Sequence, residues 1–148
     1  MNRSVAKLLL YSIEYLRGEK LYLYLEELEN NLLLTKEKLE LLQKEKLKKL
    51  LDFTMSNNAF YKNKFNGYDV HGAFETLPIL TKEELRDNYK EILSDNRQKK
   101  IDLVETSGST GVPLQFYRDR VVFGYTLASM YRAHRWWGLD VGGSICPI

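Results

Sequence analysis

The feature that most constrains the fold is the helical spacing of apolar residues through the first hundred positions. Apolar residues recur at three- and four-residue intervals in segments 5–16 and 36–56, and Thr35 is placed to cap the second of these helices. Segment 21–34 is rich in Leu and Tyr and is predicted to be helical, with a break near Asn30. We therefore expect a helical first part and a mixed remainder.

The charged residues of segment 36–56 are Lys and Glu, and they surround a single apolar stripe. The pattern predicts a solvated helix face, with a patch that binds a membrane or nucleic acid as the alternative. The net charge is only +2 and no contiguous basic run dominates the sequence, so a nucleic-acid partner is not expected.

The composition is typical of a folded protein: 44% of the 148 residues are hydrophobic and 28% are charged. The length suits one domain or a piece of a larger one. Cys146 is the only cysteine, which excludes an internal disulfide framework and a multi-cysteine metal site. His71 and His134 stand far apart, so we expect no histidine-based metal site.

No apolar run approaches the roughly 18 residues of a transmembrane helix. Segment 1–17 has basic residues ahead of three leucines, as a signal peptide has. However, Glu14 and Arg17 interrupt the apolar stretch, and no small-residue cleavage site follows. We therefore expect a cytoplasmic protein. Because the sequence stops at Ile148 as an apolar segment begins, we also expect it to be an N-terminal fragment.

A capping box is the clearest local signal. The Thr81 hydroxyl can accept from the backbone N–H of Glu84, and the Glu84 carboxylate can accept from the N–H of Thr81. Leu80 and Leu85 are spaced as the accompanying hydrophobic staple. The helix that begins here is predicted to extend to about Leu93.

Two strands and a long helix are predicted farther on, at 101–105, 112–118 and 120–137. In the second strand Leu114 and Phe116 alternate with more polar residues. Asp119 is placed to cap the helix, and Gly138 is a natural stop.

The segment that can carry chemistry is 106–111, Thr-Ser-Gly-Ser-Thr-Gly, between the two strands. Glycines let a backbone turn tightly and approach a ligand closely. Successive N–H groups can then form an anion-binding nest, and the hydroxyls of Ser107, Ser109 and Thr110 add donors. This chemistry suits a polyphosphate.

The segment is neither a Walker loop nor a dinucleotide fingerprint. A Walker loop requires Lys and then Ser or Thr after its last glycine, at the start of a helix, whereas Gly111 is followed by Val-Pro. No third glycine opens a helix, as a dinucleotide fingerprint requires. By composition alone, a polar hairpin turn is the alternative.

Several separated segments, in the right order, resemble one superfamily. Residues 106–113 resemble the phosphate-binding loop of the adenylate-forming enzymes, which include acyl-CoA synthetases, adenylation domains of peptide synthetases, and luciferase. The surrounding sequence is most similar to the phenylacetate-CoA ligase branch and its relatives in capsular polysaccharide biosynthesis. The segments that carry this similarity are 58–62, 77–85, 114–119 and 135–142.

The resemblance implies an α/β fold. Residues 1–34 would form a helical N-terminal extension, and 35–148 the first strands and helices of an incomplete AMP-binding (adenylation) domain. Many superfamily members carry a Lys shortly after the loop, but Leu114 follows Pro113 here, so charge neutralisation is left to Mg²⁺ and to residues beyond this sequence. The residues that would contact the ATP phosphates are Thr106 at the edge of the loop, Ser107, Gly108, Ser109, Thr110 and Gly111.

The implied reaction has two steps. A carboxylate attacks the α-phosphorus of ATP to give acyl-AMP and pyrophosphate, and a thiol, typically coenzyme A, then displaces AMP. In the family the catalytic Lys, the metal-binding Glu and the adenine pocket lie downstream of the region matched here. No catalytic residue or metal ligand is therefore assigned, and the chain alone is expected to be inactive. The acid stays open among phenylacetate, another aryl acid and a polysaccharide substituent.

Two other kinds of function stay open: a non-catalytic nucleotide-binding remnant, and a helical interaction module in which segment 5–56 packs on a partner. His134 is expected at a surface or interface, with a phosphate-binding role as the alternative. Trp136 and Trp137 are expected to pack at a helix end rather than line an acyl pocket. Cys146 is expected to be a small buried hydrophobic residue.

Overall fold

The computed structural model describes residues 3–94, 101–106 and 113–141. The fold in these ranges is mixed α/β and mostly helical, with one two-stranded antiparallel sheet. A short 3₁₀ turn lies at Phe74–Thr76. The longer elements are α1 (Arg3–Arg17), α2 (Leu21–Asn31), α3 (Lys36–Asn57), α4 (Ala59–Lys64), α5 (Lys82–Asp87), β1 (Ile101–Glu105), β2 (Gln115–Asp119) and α6 (Arg120–Arg135).

Most element positions follow the sequence signals. Helices α1, α2 and α3 lie where the apolar spacing predicts them, and α2 ends at Asn31, at the predicted break. The Asp119 carboxylate accepts from the N–H of Val122 at 2.8 Å, which confirms it as the cap of α6. Gly138, with a φ of 76°, ends the turns that follow this helix.

Helix α5 is shorter than predicted. It ends at Asp87 rather than near Leu93, because Asn88 leaves the helical conformation with a φ of −119°. The Glu84 carbonyl oxygen accepts from the side-chain amide of Asn88 at 2.8 Å as well as from its backbone N–H at 3.0 Å. Residues 88–93 form turns instead of a continuous helix.

Strand β2 begins at Gln115, later than predicted, and its apolar Phe116 is not on the more buried side. Phe116 is exposed, whereas Gln115 and Tyr117 are half-buried. Tyr117 stacks on Tyr89, with ring centroids 6.2 Å apart and planes 19° apart. The contact with Tyr89 therefore decides which side of β2 is covered.

The chain forms two compact units. The terminal unit comprises Met1–Thr35 and Arg118–Ile148, and the central unit comprises Lys36–Tyr117.

In the terminal unit, α2 packs closely against α6. The buried core residues are Leu21, Leu25, Ala128 and Val141. Gly124 is needed for this approach, because a Cβ atom there would lie 1.9 Å from the carbonyl oxygen of Glu19.

In the central unit, Leu51 of α3, Phe65 and Leu77 form a smaller buried cluster. Half-buried Leu47, Met55, Tyr61 and Val70 pack around it. None of the helices described in either unit is long and apolar enough to cross a bilayer.

Candidate functional site

The predicted phosphate-binding segment connects β1 to β2, and the structure shows how its two ends meet. The N–H of Thr106 donates to the carbonyl oxygen of Leu114 at 3.0 Å. The N–H of Leu114 donates in return to the Thr106 hydroxyl, also at 3.0 Å. Thr106, the predicted edge residue, thus closes the hairpin base with both its backbone and its side chain. The other predicted site residues, Ser107, Gly108, Ser109, Thr110 and Gly111, lie outside the described residues.

A second side-chain pair lies next to this closure. The Gln115 amide donates to the Glu105 carboxylate across the two strands. This bond fixes one oxygen of the Glu105 carboxylate.

A cavity of about 380 Å³ lies beside the hairpin base. Glu105, Pro113 and Gln115 line it from the hairpin, and Arg86 and Tyr89 line it from α5 and the turn that follows. This volume is in the lower part of the range of small-molecule sites, about 300–1,000 Å³. The hairpin and α5 thus bring together side chains that are far apart in the sequence.

Helix α5 is fixed at its N-terminal end by the capping box. The Glu84 N–H donates to the Thr81 hydroxyl at 3.2 Å, and the Thr81 N–H donates to the Glu84 carboxylate at 3.0 Å. Lys64 of α4, whose side chain is only 11% exposed, donates to both Glu84 oxygens at 2.6 and 2.8 Å. These bonds from Lys64 and from the Thr81 backbone hold the pKa of Glu84 below its ordinary value. The capping box is confirmed, and Lys64 connects it to α4.

The turn after α5 is also tied to the central unit. Buried Asn58 donates its side-chain amide to the carbonyl oxygen of Ile92 at 2.6 Å. The same side chain accepts from the N–H of Tyr61 at 3.0 Å and caps α4. Together with the Tyr89–Tyr117 stack, the Asn58–Ile92 bond holds the C-terminal side of the segment that carries Arg86, and the capping box holds its N-terminal side.

Arg86 is the cation of this cavity, and sequence reasoning missed it. It is exposed and forms no hydrogen bond or ion pair with any residue in 3–94, 101–106 or 113–141. The only signal was its place directly after segment 77–85, which carries part of the family resemblance. No spacing rule connects it to a loop that begins at Thr106.

The side chains that line this cavity fit phosphate and Mg²⁺, the two groups that the resemblance implies beside the loop. A guanidinium presents a planar fork of donors that matches phosphate oxygens. Mg²⁺ commonly binds to proteins through one or two carboxylates together with substrate phosphates. Glu105 offers one such carboxylate, and no group of three or more His, Cys, Asp or Glu suited to a metal occurs in the described part of the chain. The donor set therefore fits a metal that arrives with a polyphosphate.

The remaining candidates lie in the terminal unit. His134 is half-buried and packs edge-on against Tyr131, with ring centroids 6.1 Å apart. Its Nδ1 atom is buried without a hydrogen-bond partner among the described residues. Trp136 and Trp137 are 72% and 83% exposed, so the expected packing of these rings at the helix end does not occur among the described residues. Cys146 lies outside the described residues.

Comparison with known proteins gives no match: no protein-family model, no curated protein and no solved structure is similar to this chain. The resemblance to the adenylate-forming enzymes therefore depends on the sequence motifs alone and stays a prediction.

Proposed function

We propose that this chain contributes the polyphosphate-binding region of an ATP-dependent carboxylate-adenylating ligase of the phenylacetate-CoA ligase type. Such an enzyme forms acyl-AMP and then transfers the acyl group to coenzyme A, here in a cytoplasmic pathway that serves capsular or surface polysaccharide biosynthesis. The proposal is supported above all by the Thr106–Leu114 closure, which brings the two ends of the Ser/Gly/Thr segment together on a hairpin.

The contribution of the chain to the first step is binding and charge stabilisation. Negative charge develops on the departing pyrophosphate when the α-phosphorus is attacked. Preorganised N–H groups and hydroxyls stabilise such charge effectively because they need no reorganisation during the reaction. The segment after Thr106 is rich in both kinds of donor. The Thr106–Leu114 pair limits the freedom of its ends and so lowers the cost of ordering it around a ligand.

The test is a calorimetric titration of the 148-residue chain with ATP in the presence of Mg²⁺. In the double variant Ser109→Ala/Thr110→Ala, two hydroxyl donors to charged phosphates are lost, and we expect affinity to fall about tenfold or more. The matched control is Thr126→Ala/Ser129→Ala, which also removes one threonine and one serine hydroxyl, but from exposed positions of α6. Absence of ATP binding by the parent chain would refute the proposal, as would equal affinity for parent and double variant.

A second candidate, a helical interaction module, is favoured by the apolar surface of the N-terminal helices. Leu8, Leu16, Leu41 and Leu50 are all well exposed on α1 and α3. Exposed apolar surface of this kind is typical of protein-interaction sites when it is contiguous. A chain that binds no nucleotide would favour this second function.

A further inference from the structure

We propose that the cavity beside the hairpin base is a phosphate site in which Arg86 binds the terminal part of a polyphosphate. The inference rests on the proposed function. It adds Arg86 as a positive charge at the phosphates, since the Lys that many superfamily members carry after the loop is absent here. It concerns the cavity lined by Arg86, Tyr89, Glu105, Pro113 and Gln115.

Chain connectivity places this cavity at the foot of the hydroxyl-rich segment. Glu105 directly precedes Thr106, and Pro113 directly precedes Leu114. Thr106 and Leu114 are joined by two hydrogen bonds of 3.0 Å. A ligand that contacts the segment near its base is therefore adjacent to the cavity and to its arginine.

The position of Arg86 is fixed by the elements around it. Helix α5 is held at its start by the capping box and by the Lys64–Glu84 ion pair of 2.6 Å. Just after the helix, Tyr89 stacks on Tyr117 of β2, and this contact joins the segment that carries Arg86 to the hairpin. A cation on a fixed helix binds an anion with less loss of conformational freedom than a cation on a loop.

The charges of the cavity also favour an anion at Arg86. The guanidinium has no hydrogen-bond or ion-pair partner in the described ranges, so its donors are not engaged there by a carboxylate. Lys90 adds a second positive charge nearby, with its ammonium 5.6 Å from the centroid of the Tyr89 ring. Glu105 opposes an anion, but its carboxylate is hydrogen-bonded to Gln115. The arrangement predicts opposite effects when Arg86 and Glu105 are neutralised.

The experiment is a calorimetric titration of the full 148-residue chain with sodium pyrophosphate, without divalent cations and at constant ionic strength. For Arg86→Gln we expect a loss of affinity of about tenfold or more, since a charge-assisted, bidentate contact is removed. For Glu105→Gln we expect an affinity gain of about two- to fivefold, because a repulsive charge is lost while the acceptor for Gln115 is kept. The control Lys62→Gln removes one exposed charge from α4 and is expected to change affinity less than twofold.

The outcomes separate this inference from the proposed function. Equal affinities for Arg86→Gln and Lys62→Gln would overturn the Arg86 site, as would weaker binding by Glu105→Gln. If the Ser109→Ala/Thr110→Ala variant lost ATP binding while Arg86→Gln kept it, only the Arg86 assignment would fail. If the parent chain bound neither ATP nor pyrophosphate, both would fail. Arg86→Lys keeps the charge without the planar fork and is expected to lie between parent and Arg86→Gln.

Discussion

Replacing Glu14 by glutamine is expected to stabilise the terminal unit at neutral and higher pH. Glu14 of α1 and Glu19, in the joint between α1 and α2, are 5% and 0% exposed. Arg120 donates to one Glu19 oxygen at 2.8 Å, but Glu14 Oε2 and Glu19 Oε2 have no partner among the described residues. Burial, together with the hydrogen bond with Glu19 and the charge of Glu19, raises the pKa of Glu14 to about 7 against the opposing effects of Arg17 and Arg120.

The sign and size of the effect follow from this pKa. The folded protein keeps the Glu14 proton between pH 4.5 and about 7, whereas the unfolded chain releases it near 4.5. Stability from this group is therefore fully present below pH 4.5 and is lost as the pH rises to about 7. At about 1.4 kcal/mol per pH unit, the loss amounts to at most about 3.5 kcal/mol. Glutamine is neutral at every pH and avoids this loss.

The assay is urea denaturation, monitored by circular dichroism at 222 nm, at pH values from about 4.5 to about 8.5. We expect Glu14→Gln to match the parent at the lowest pH and to gain roughly 1–3 kcal/mol in free energy of unfolding above pH 7. The control Glu26→Gln changes an exposed glutamate of α2 and is expected to change stability only slightly. A variant that is less stable than the parent at pH 8, or whose advantage is the same at every pH, would refute the buried carboxyl pair.

The remaining predictions concern packing and helix caps. Gly124→Ala is expected to destabilise the terminal unit by about 1–3 kcal/mol in urea denaturation, because the added Cβ would lie 1.9 Å from a backbone oxygen. The control Ser129→Ala, at an exposed position of the same helix, should be neutral or slightly stabilising. A more stable Gly124→Ala would show that helix propensity outweighs the steric contact. Thr81→Ala is expected to lower the free energy of unfolding by about 1 kcal/mol. Thr81→Ser should lower it much less, because serine keeps the capping oxygen. Equal losses of stability in the two variants would argue against the cap. Asp119→Ala is expected to lower the thermal midpoint more than Asp119→Asn, since asparagine also accepts from the N–H of Val122.

Local signals in the sequence were sufficient for much of the secondary structure. The Thr81–Glu84 capping box and the Asp119 cap are contacts between residues three positions apart, so their partners are present in any short window. The helical stripes and the glycine at 138 are equally local. Of the site residues predicted from the sequence, only Thr106 lies within the described residues, and the phosphate-binding role of the whole segment stays a prediction.

The length of α5 and the covered side of β2 were not predictable in the same way. The apolar spacing beyond Asp87 favoured a continuing helix, but Asn88 folds its side chain back onto the Glu84 carbonyl. The alternation of Leu114 and Phe116 with more polar residues indicates a strand, but the stack between Tyr89 and Tyr117 covers the side opposite Phe116. In both places a contact specific to the folded chain outweighed a weak periodic preference.

By itself the sequence determined where the capped helices begin, because caps, turns and periodic stripes depend on neighbours within a few residues. It also supplied the hydroxyl- and glycine-rich segment on which the proposed function depends. Only the tertiary structure placed Arg86 beside the hairpin base and buried Glu14 and Glu19 together near Arg120. Residues distant in the sequence meet only when whole elements pack, and that packing sets the burial and the local charge on which binding and pKa depend.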